Sequence, residues 1–253
     1  MIRAFLVSVV TLIYILTAGL PFLIHAWLTK NTDKLYRVGI NGARLALWLS
    51  GVRIEVHGLE NIPHGRAAIY MPNHQSNCDP PAVISILPPV LVLAKQEFFR
   101  VPVLGPAMIY RGFIPVDRKN RERAIAAVEQ AVESMKRGNS FLAFPEGTRS
   151  PDGRLQTFKK GLFLMAIKAG ALIVPVSVSG ARKIMPKGHF AIHPGRVRII
   201  IQEPISAADY TADRRRELMQ VTRQAILKGL DPEEWPREAP ATVAEKRLTQ
   251  KSE

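Results

Sequence analysis

The chain contains very little cysteine, since Cys78 is the single one among 253 residues. One cysteine forms no intramolecular disulfide and supplies no cysteine-based zinc site, so a disulfide scaffold is excluded and a body that faces the cytosol is favoured. Acidic residues are also few, with 21 Asp and Glu against 35 Lys and Arg. The resulting net charge of +14 implies an anionic partner: nucleic acid, an anionic membrane surface or a phosphorylated substrate.

Charged residues make up 22% of the chain, which is too few for a disordered polyelectrolyte when hydrophobic residues reach 47%. The bulk is therefore expected to fold, and its length fits one domain with an appendage. Basic stretches do not alternate with stacking aromatics, and neither a zinc-finger spacing nor an RNP1 string occurs. The sequence thus predicts no nucleic-acid partner. The largest excess of basic residues lies between Leu93 and Lys160.

A long run near the N-terminus, from Ala4 to Ile24, has no charge at all. As a helix it would be about 30 Å long, the thickness of a bilayer core. A cleaved signal peptide is one interpretation, but no clear small-residue cleavage site is present. The others are a single membrane span, a helix that dips into one leaflet, which Gly19 and Pro21 permit, and a buried core helix, for which the run is long. Membrane attachment is the expectation.

The residues after this run favour a cytoplasmic body. The segment from Leu35 to Leu49 is amphipathic and predicts an interfacial helix. We therefore expect residues 1–50 to form a membrane-associated helical segment that contacts anionic lipids, with the active site on the cytoplasmic face of a bacterial inner membrane. By the positive-inside rule, this orientation follows from four basic residues: Lys30, Lys34, Arg37 and Arg44.

After Gly51, short runs rich in Val, Ile and Phe alternate with helical patterns, which favours an α/β fold: a mixed, mainly parallel sheet flanked by helices. This domain is expected to cover residues 51–235, and residues 236–253 to form a flexible tail. The predicted helices are Arg121 to Lys136, Phe158 to Ala169 and Asp213 to Lys228. The predicted strands are Val52 to His57, Ala67 to Met71, Val90 to Ala94, Phe113 to Val116, Ser140 to Phe144, Leu172 to Val178 and Val197 to Gln202.

The first motif with chemical content is NHQSNCDPP, which directly follows a predicted apolar strand. His74 and Asp79 are five residues apart, and a regular helix would point them in different directions, so a turn must lie between them. Asp79 precedes two prolines and is expected to cap a helix from Pro80 to Leu87. The loop then returns the carboxylate to the imidazole, where it fixes the tautomer and leaves the other ring nitrogen as a base. A purely structural role for both residues is the alternative.

Two nucleophiles lie inside this motif. Ser76 would complete a Ser/His/Asp set, although no G-x-S-x-G elbow surrounds it. Cys78 would react as a thiolate if a helix N-terminus and His74 lowered its pKa, but a single buried cysteine is usually inert. A serine or cysteine hydrolase or thioesterase is therefore the alternative enzyme class.

The second motif, FPEGTRSPDG, also follows a hydrophobic strand. Gly147 allows a close backbone approach, Thr148 offers a hydroxyl, and Arg149 offers a guanidinium suited to bidentate phosphate binding. Glu146 would repel a phosphate unless it pairs with an arginine or binds a substrate hydroxyl. Arg118 follows another predicted strand and is a second phosphate ligand or a solvated surface charge.

Together these motifs resemble the four sequence blocks of the glycerolipid acyltransferases of the 1-acylglycerol-3-phosphate acyltransferase type. NHQSNCD resembles the H-x4-D block, and Gly112 to Arg118 resembles the second block. FPEGTRS resembles the third block, and Val174-Pro175-Val176 resembles the fourth. The sequence TFKKG is also similar to this family. The resemblance covers about Val52 to Gly180, and the blocks occur in the family's order.

The resemblance implies a membrane-bound O-acyltransferase that makes phosphatidate from lysophosphatidate. His74 would be the general base and Asp79 its orienting partner. The acceptor hydroxyl would attack the thioester of acyl-CoA or acyl-carrier protein directly, and no cofactor or metal is implied. Another lysophospholipid or a lyso-ornithine lipid remains an alternative acceptor, and an inactive membrane-binding module an alternative class. The acceptor's glycerol phosphate would bind to Arg118, Glu146, Gly147, Thr148 and Arg149.

Overall fold

The computed structural model describes residues 1–237. Of the tail expected over 236–253, residues 238–253 lie outside the described part. The helices are α1 Ile2–Tyr14, α2 Leu20–Thr29, α3 Asp33–Leu49, α4 Asp79–Ile84, α5 Leu104–Arg111, α6 Arg121–Lys136, α7 Lys160–Ala169, α8 Ala181–Ile184 and α9 Arg215–Gly229. The strands are β1 Val52–His57, β2 Ala68–Pro72, β3 Leu91–Lys95, β4 Ile114–Val116, β5 Phe141–Leu142, β6 Leu172–Ser179, β7 Gly195–Ile201 and β8 Ile205–Ser206.

The N-terminal helix runs through Gly19 and Pro21 without a break. A π-helical turn, Ile15–Gly19, joins α1 to α2, so that the helical path extends from Ile2 to Thr29. Proline has no N–H and its ring crowds the preceding turn, and a wider turn just before it absorbs this misfit. Among residues 1–237, this is the one helix whose length and composition would allow it to cross a membrane.

Helix α3 turns back along α1 and packs closely against it. The Tyr14 hydroxyl donates to the Val38 carbonyl at 3.0 Å, and the Tyr14 ring lies so close to Gly42 that a Cβ there would be 2.8 Å from it. Most apolar side chains of the N-terminal helix nevertheless point away from the protein. The exposed large ones are Met1, Ile2, Phe5, Leu6, Val9, Leu12, Ile13, Leu16, Leu20, Ile24, Trp27 and Leu28.

The body is the expected α/β fold, built on one mixed sheet. Within residues 1–237 the strand order is β1-β7-β6-β2-β5-β3-β4, and β8 pairs with the beginning of β6. Five neighbouring strands, β6, β2, β5, β3 and β4, are mutually parallel, while β7 runs antiparallel to β6 and parallel to β1. Because the five strands are parallel, the loops that follow their carboxyl ends meet at one edge of the sheet.

Helices cover both faces of the sheet. One face packs on α6, α7 and α9, and the other packs on α3, α4, α8 and part of α1. Strand β6 is buried along its whole length, as expected for a strand covered on both sides. Helix α6 has the predicted bounds, and the Asn120 side chain caps it by accepting a hydrogen bond from the Arg123 amide at 3.0 Å.

Candidate active site

The predicted site residues meet at one edge of the sheet. His74 follows β2, Glu146 to Arg149 follow β5, and Arg118 follows β4. These three strands are parallel, so residues far apart in sequence reach the same side of the sheet. The fourth block lies in β6, whose carboxyl end is at this edge as well.

His74 and Asp79 make the expected side-chain contact. The Nδ1 atom of His74 lies 2.8 Å from Oδ2 of Asp79. The carboxylate is fully buried, while 13% of the His74 side chain is exposed. Within residues 1–237 the Nε2 atom of His74 has no hydrogen-bond partner. An imidazole held at Nδ1 in this way keeps Nε2 as the atom available to take up a proton.

The prediction that Asp79 caps a helix from Pro80 to Leu87 is wrong in detail. The helix starts at Asp79 itself, Cys78 occupies the cap position, and the helix ends at Ile84 rather than Leu87. The Asp79 carboxylate instead turns back to the loop before it, where Oδ2 accepts hydrogen bonds from the amides of Gln75 at 2.6 Å and Ser76 at 2.7 Å. The carboxylate therefore fixes the loop as well as the imidazole.

The third block holds the backbone of His74 from the other side. The His74 amide donates to Oε1 of Glu146 at 2.7 Å, and the His74 carbonyl accepts from the Ser150 amide at 2.7 Å. The imidazole also stacks on the Phe144 ring, with 4.1 Å between ring centroids. The position of the ring is thus determined by Asp79 and by the segment that follows β5.

Glu146 faces inwards rather than towards open space. Its side chain is buried, and its second oxygen, Oε2, accepts from the Gln156 amide at 3.1 Å and from the Gln156 side chain at 3.0 Å. Burial raises the pKa of Glu146 to about 7, although the hydrogen bonds from His74 and Gln156 act in the opposite direction. With both oxygens occupied inside the protein, this placement does not fit direct contact with an acceptor.

The residues after Glu146 form a turn that opens outwards. Gly147 has a positive φ of 71°, and a Cβ there would lie 3.1 Å from Lys159 Cγ, so glycine fits both the backbone and the space. Thr148 is exposed and Arg149 is half-buried. The Arg118 guanidinium donates to the Gly147 carbonyl, which brings the second and third blocks together.

The two nucleophile candidates are engaged elsewhere. The Ser76 hydroxyl donates to the Met185 carbonyl at 2.8 Å, and Ser76 is fully buried. Burial, with the nearby Asp79 charge adding to it, raises the pKa of the Cys78 thiol to about 12. Neither side chain is placed or ionised as a nucleophile at neutral pH, which weighs against a hydrolase.

Further residues support the site, and sequence reasoning missed Gln156 and Arg223 among them. Gln156 holds Glu146 and also donates to the Thr148 carbonyl at 3.2 Å, and Arg223, on α9, donates to the Gln156 carbonyl. Lys159 donates its amide to the Pro145 carbonyl at 2.7 Å, which places it beside the third block. TFKKG pointed to Lys159 through the resemblance, but no sequence signal connects Arg223 with a motif almost eighty residues earlier.

Comparisons with known proteins show which proteins the chain is similar to. A family model described as acyltransferase matches residues 53–179, the range that holds every predicted site residue. A chloroplast 1-acyl-sn-glycerol-3-phosphate acyltransferase of Arabidopsis thaliana is 39% identical over 168 residues, which is 65% of this chain and 47% of that protein. A 1-acyl-sn-glycerol-3-phosphate acyltransferase of Borreliella burgdorferi is 33% identical over 189 residues, 74% of this chain and 76% of that protein.

The crystal structure of the 1-acyl-sn-glycerophosphate acyltransferase PlsC from Thermotoga maritima is similar in fold, with a TM-score of 0.79 and 28% identity over 90% of this chain and 93% of that one. The chain spans about half of the Arabidopsis relative, and 62% of a Brassica napus relative that is 36% identical. The matched residues 53–179 include His74 and Asp79. The chain therefore belongs to the acyltransferase family of the 1-acyl-sn-glycerol-3-phosphate acyltransferase type.

Proposed function

We propose that the protein transfers an acyl group from the thioester of acyl-CoA or acyl-carrier protein to the sn-2 hydroxyl of lysophosphatidate, giving phosphatidate. The observation that carries this proposal is the 2.8 Å contact between His74 Nδ1 and the buried Asp79 carboxylate, which leaves Nε2 as the free base. The relatives are 1-acyl-sn-glycerol-3-phosphate acyltransferases by name, which supports lysophosphatidate as the acceptor.

The reaction follows from the chemistry of the imidazole. Nε2 of His74 takes the proton from the acceptor hydroxyl as its oxygen attacks the thioester carbonyl. The new C–O bond forms, the C–S bond breaks, and the departing thiolate receives the proton from the imidazolium. Asp79 stabilises the imidazolium formed between these steps, because its carboxylate lies against Nδ1. No covalent acyl-enzyme is required, in agreement with the engaged hydroxyl of Ser76 and the raised pKa of Cys78.

Cationic groups at the same edge supply the acceptor site. Arg149 and Arg118 flank the turn at Gly147, and guanidinium groups bind phosphate oxygens in bidentate fashion. Thr148 is exposed on this turn and adds a hydroxyl. These residues bind the glycerol phosphate of the acceptor, while its acyl chain stays in the bilayer.

Glu146 acts through His74 in this proposal. Its Oε1 accepts the His74 amide proton and its Oε2 is held by Gln156, so the carboxylate fixes the base rather than the acceptor. Glu146 is therefore a positioning residue.

The N-terminal helices attach the enzyme to a membrane. The helix from Ile2 to Thr29 presents apolar side chains outwards, and membrane lipid is the environment in which such a surface is stable. The net charge of +14 favours an anionic leaflet, and the active site faces the cytoplasm, where the acyl donors are made available. In a bacterium this is the inner membrane.

A panel of acceptors tests the proposal. Purified protein in anionic vesicles is given a labelled acyl donor and one lyso-acceptor at a time: lysophosphatidate, a lysophospholipid with a capped phosphate, a lyso-ornithine lipid and a monoacylglycerol. We expect labelled phosphatidate to form at the highest kcat/KM. A higher kcat/KM for the ornithine lipid or the monoacylglycerol would overturn the assignment of the acceptor. Release of free fatty acid without transfer would indicate a hydrolase.

A further inference from the structure

The loop between α8 and β7, residues 185–194, begins at the active site. The Met185 carbonyl accepts the hydrogen bond from the Ser76 hydroxyl at 2.8 Å. Two residues later, the Lys187 ammonium donates to the Arg149 carbonyl at 2.8 Å. The first part of the loop is therefore attached to both the H-x4-D block and the turn from Gly147 to Arg149.

The same loop ends beside the N-terminal helices. Ile192 is buried in the hydrophobic cluster that also contains Val7 of α1 and Leu47 of α3. Pro194 packs on Gly51, where a Cβ would lie 3.0 Å from it, and the next residue, Gly195, donates its amide to the Gly51 carbonyl at 3.2 Å. The loop thus connects the edge that holds the active site with the start of the proposed membrane anchor.

The middle of the loop presents an aromatic side chain to the outside. Phe190 is 89% exposed, more than Trp48 at 74% or Phe5 at 69%. The residues around it, Lys187, His189 and His193, are exposed as well. The sequence from Ala181 to Gln202 contains no Asp or Glu, so the whole segment is neutral or basic.

Other exposed apolar residues lie near the end of this loop. Trp48, at the end of α3, is 74% exposed, and Ile2 and Phe5, in the first turns of α1, are also exposed. The Arg3 guanidinium lies 3.4 Å from the position of a Cβ on Gly51, so this end of α1 lies next to Gly51 and to the end of the loop. Aromatic and basic side chains together suit the boundary between headgroups and acyl chains of an anionic bilayer.

We propose that the 185–194 loop is a second membrane contact, separate from the N-terminal helix, in which Phe190 enters the interface of an anionic bilayer and Lys187 lies among the headgroups. This inference rests on the membrane attachment in the proposed function. Since the loop is hydrogen-bonded to Ser76 and Arg149, this contact sets the catalytic edge of the sheet directly against the lipid surface from which the acceptor comes.

Site-specific fluorescence tests the contact. The single native cysteine is buried, so Cys78→Ala gives a background in which an introduced cysteine carries an environment-sensitive label. Phe190→Cys is compared with Leu12→Cys on α1 and with Val221→Cys, which is exposed on α9 beside the segment between β7 and β8. The membranes are vesicles of equal parts phosphatidylglycerol and phosphatidylcholine, with and without spin-labelled lipid as a quencher.

We expect vesicles to shift the emission of the label at 190 to the blue and the spin-labelled lipid to quench it, as at position 12, with no change at 221. A response at 12 without one at 190 would overturn the second contact and leave the membrane attachment intact. The absence of a response at both positions would contradict the second contact and the membrane attachment alike. A response at 190 to acyl-carrier protein but not to vesicles would overturn the lipid contact in favour of a protein partner.

Kinetics with Phe190→Ser give a second measurement. We expect a several-fold higher KM for lysophosphatidate in vesicles and an unchanged KM for a short-chain, monomeric acceptor, with Val221→Ser as the matched control. An equal rise in KM for both acceptors would point to a change in the site itself and would contradict the membrane contact.

Discussion

The amide nitrogen of His74 lies 2.7 Å from Oε1 of Glu146, so a buried carboxylate of the third block holds the backbone of the proposed base in the first block. The His74 carbonyl accepts from Ser150 of the same segment at 2.7 Å. The two blocks are more than seventy residues apart in sequence, and this pair of bonds explains how they function as one unit.

The variant Glu146→Gln tests this positioning role. Both carboxylate oxygens face N–H donors, whereas a Gln side chain offers one acceptor oxygen and turns an NH2 group towards another donor. We expect kcat to fall while the acceptor KM changes little, measured by steady-state kinetics. Glu129→Gln, at an exposed carboxylate paired with Lys168, is the control. A raised acceptor KM with unchanged kcat would show that Glu146 binds the acceptor instead.

The raised pKa of Glu146 also predicts a pH dependence of stability. The unfolded chain releases this proton near 4.5 and the folded chain near 7, so the folded state binds more protons in between. The stabilisation from this group is therefore fully present below pH 4.5 and decreases by about 3 kcal/mol as the pH rises to 7. Urea unfolding of wild type and Glu146→Gln across this range should show the wild type losing stability relative to the variant. A constant difference would contradict the shift.

Asp79→Asn is expected to reduce turnover without removing the fold. The amide oxygen of Asn replaces Oδ2 as the acceptor for the Gln75 and Ser76 amides, but a neutral amide does not stabilise the imidazolium. We expect kcat to fall by about 10²- to 10⁴-fold, the range for loss of general-base function, with a small change in acceptor KM. Thermal unfolding serves as the control for folding, and wild-type kcat in a folded variant would refute the orienting role.

Arg149→Ala is expected to lower the affinity for the acceptor rather than the turnover. Loss of a charge-assisted hydrogen bond to phosphate costs about 1.5–3 kcal/mol, which is about 10- to 150-fold in KM. Steady-state kinetics with lysophosphatidate should show this rise with kcat largely kept. Lys168→Ala removes a cation that is paired with Glu129 on another surface and is the matched control. Equal KM values for Arg149→Ala and wild type would exclude phosphate binding there.

Cys78→Ala should retain acyl transfer. The thiol is buried, its pKa is raised to about 12, and it donates weakly to the Ser76 hydroxyl at 3.1 Å. Initial rates with a labelled donor should stay close to wild type, with a modest loss of thermal stability because a buried sulfur is removed. A loss of rate as large as that of His74→Ala would indicate a thiol nucleophile.

The sequence predicted the N-terminal helices, α6, α7, α9 and most strands because their hydrophobic periodicity is strong, and α6 has the predicted bounds. Helices α5 and α8 were not predicted. Strand β8 was missed because its two residues are too short to carry a pattern. A contact between His74 and Asp79 was one of two interpretations of their spacing and the two prolines, and the resemblance to the acyltransferases favoured it, but the direction of the Asp79 carboxylate was not predicted. That direction is decided by three donors in the preceding loop rather than by the helix it begins.

The sequence did not predict the inward orientation of Glu146 either. A glutamate that directly follows a buried strand is expected to point out of the sheet towards a ligand. The hydrogen-bond partners of Glu146 are instead the His74 amide and Gln156. Arg223, which holds Gln156 from α9, lies beyond the matched family region. Contacts of this kind depend on tertiary packing, which no local motif encodes.

The most direct test of the central claim is the rate of phosphatidate formation by His74→Ala, with lysophosphatidate in anionic vesicles and a labelled acyl donor. If Nε2 of His74 is the base, kcat should fall by at least about 100-fold while the protein remains folded and bound to the vesicles. Phosphatidate formation at a rate within a few-fold of wild type would contradict the proposed mechanism.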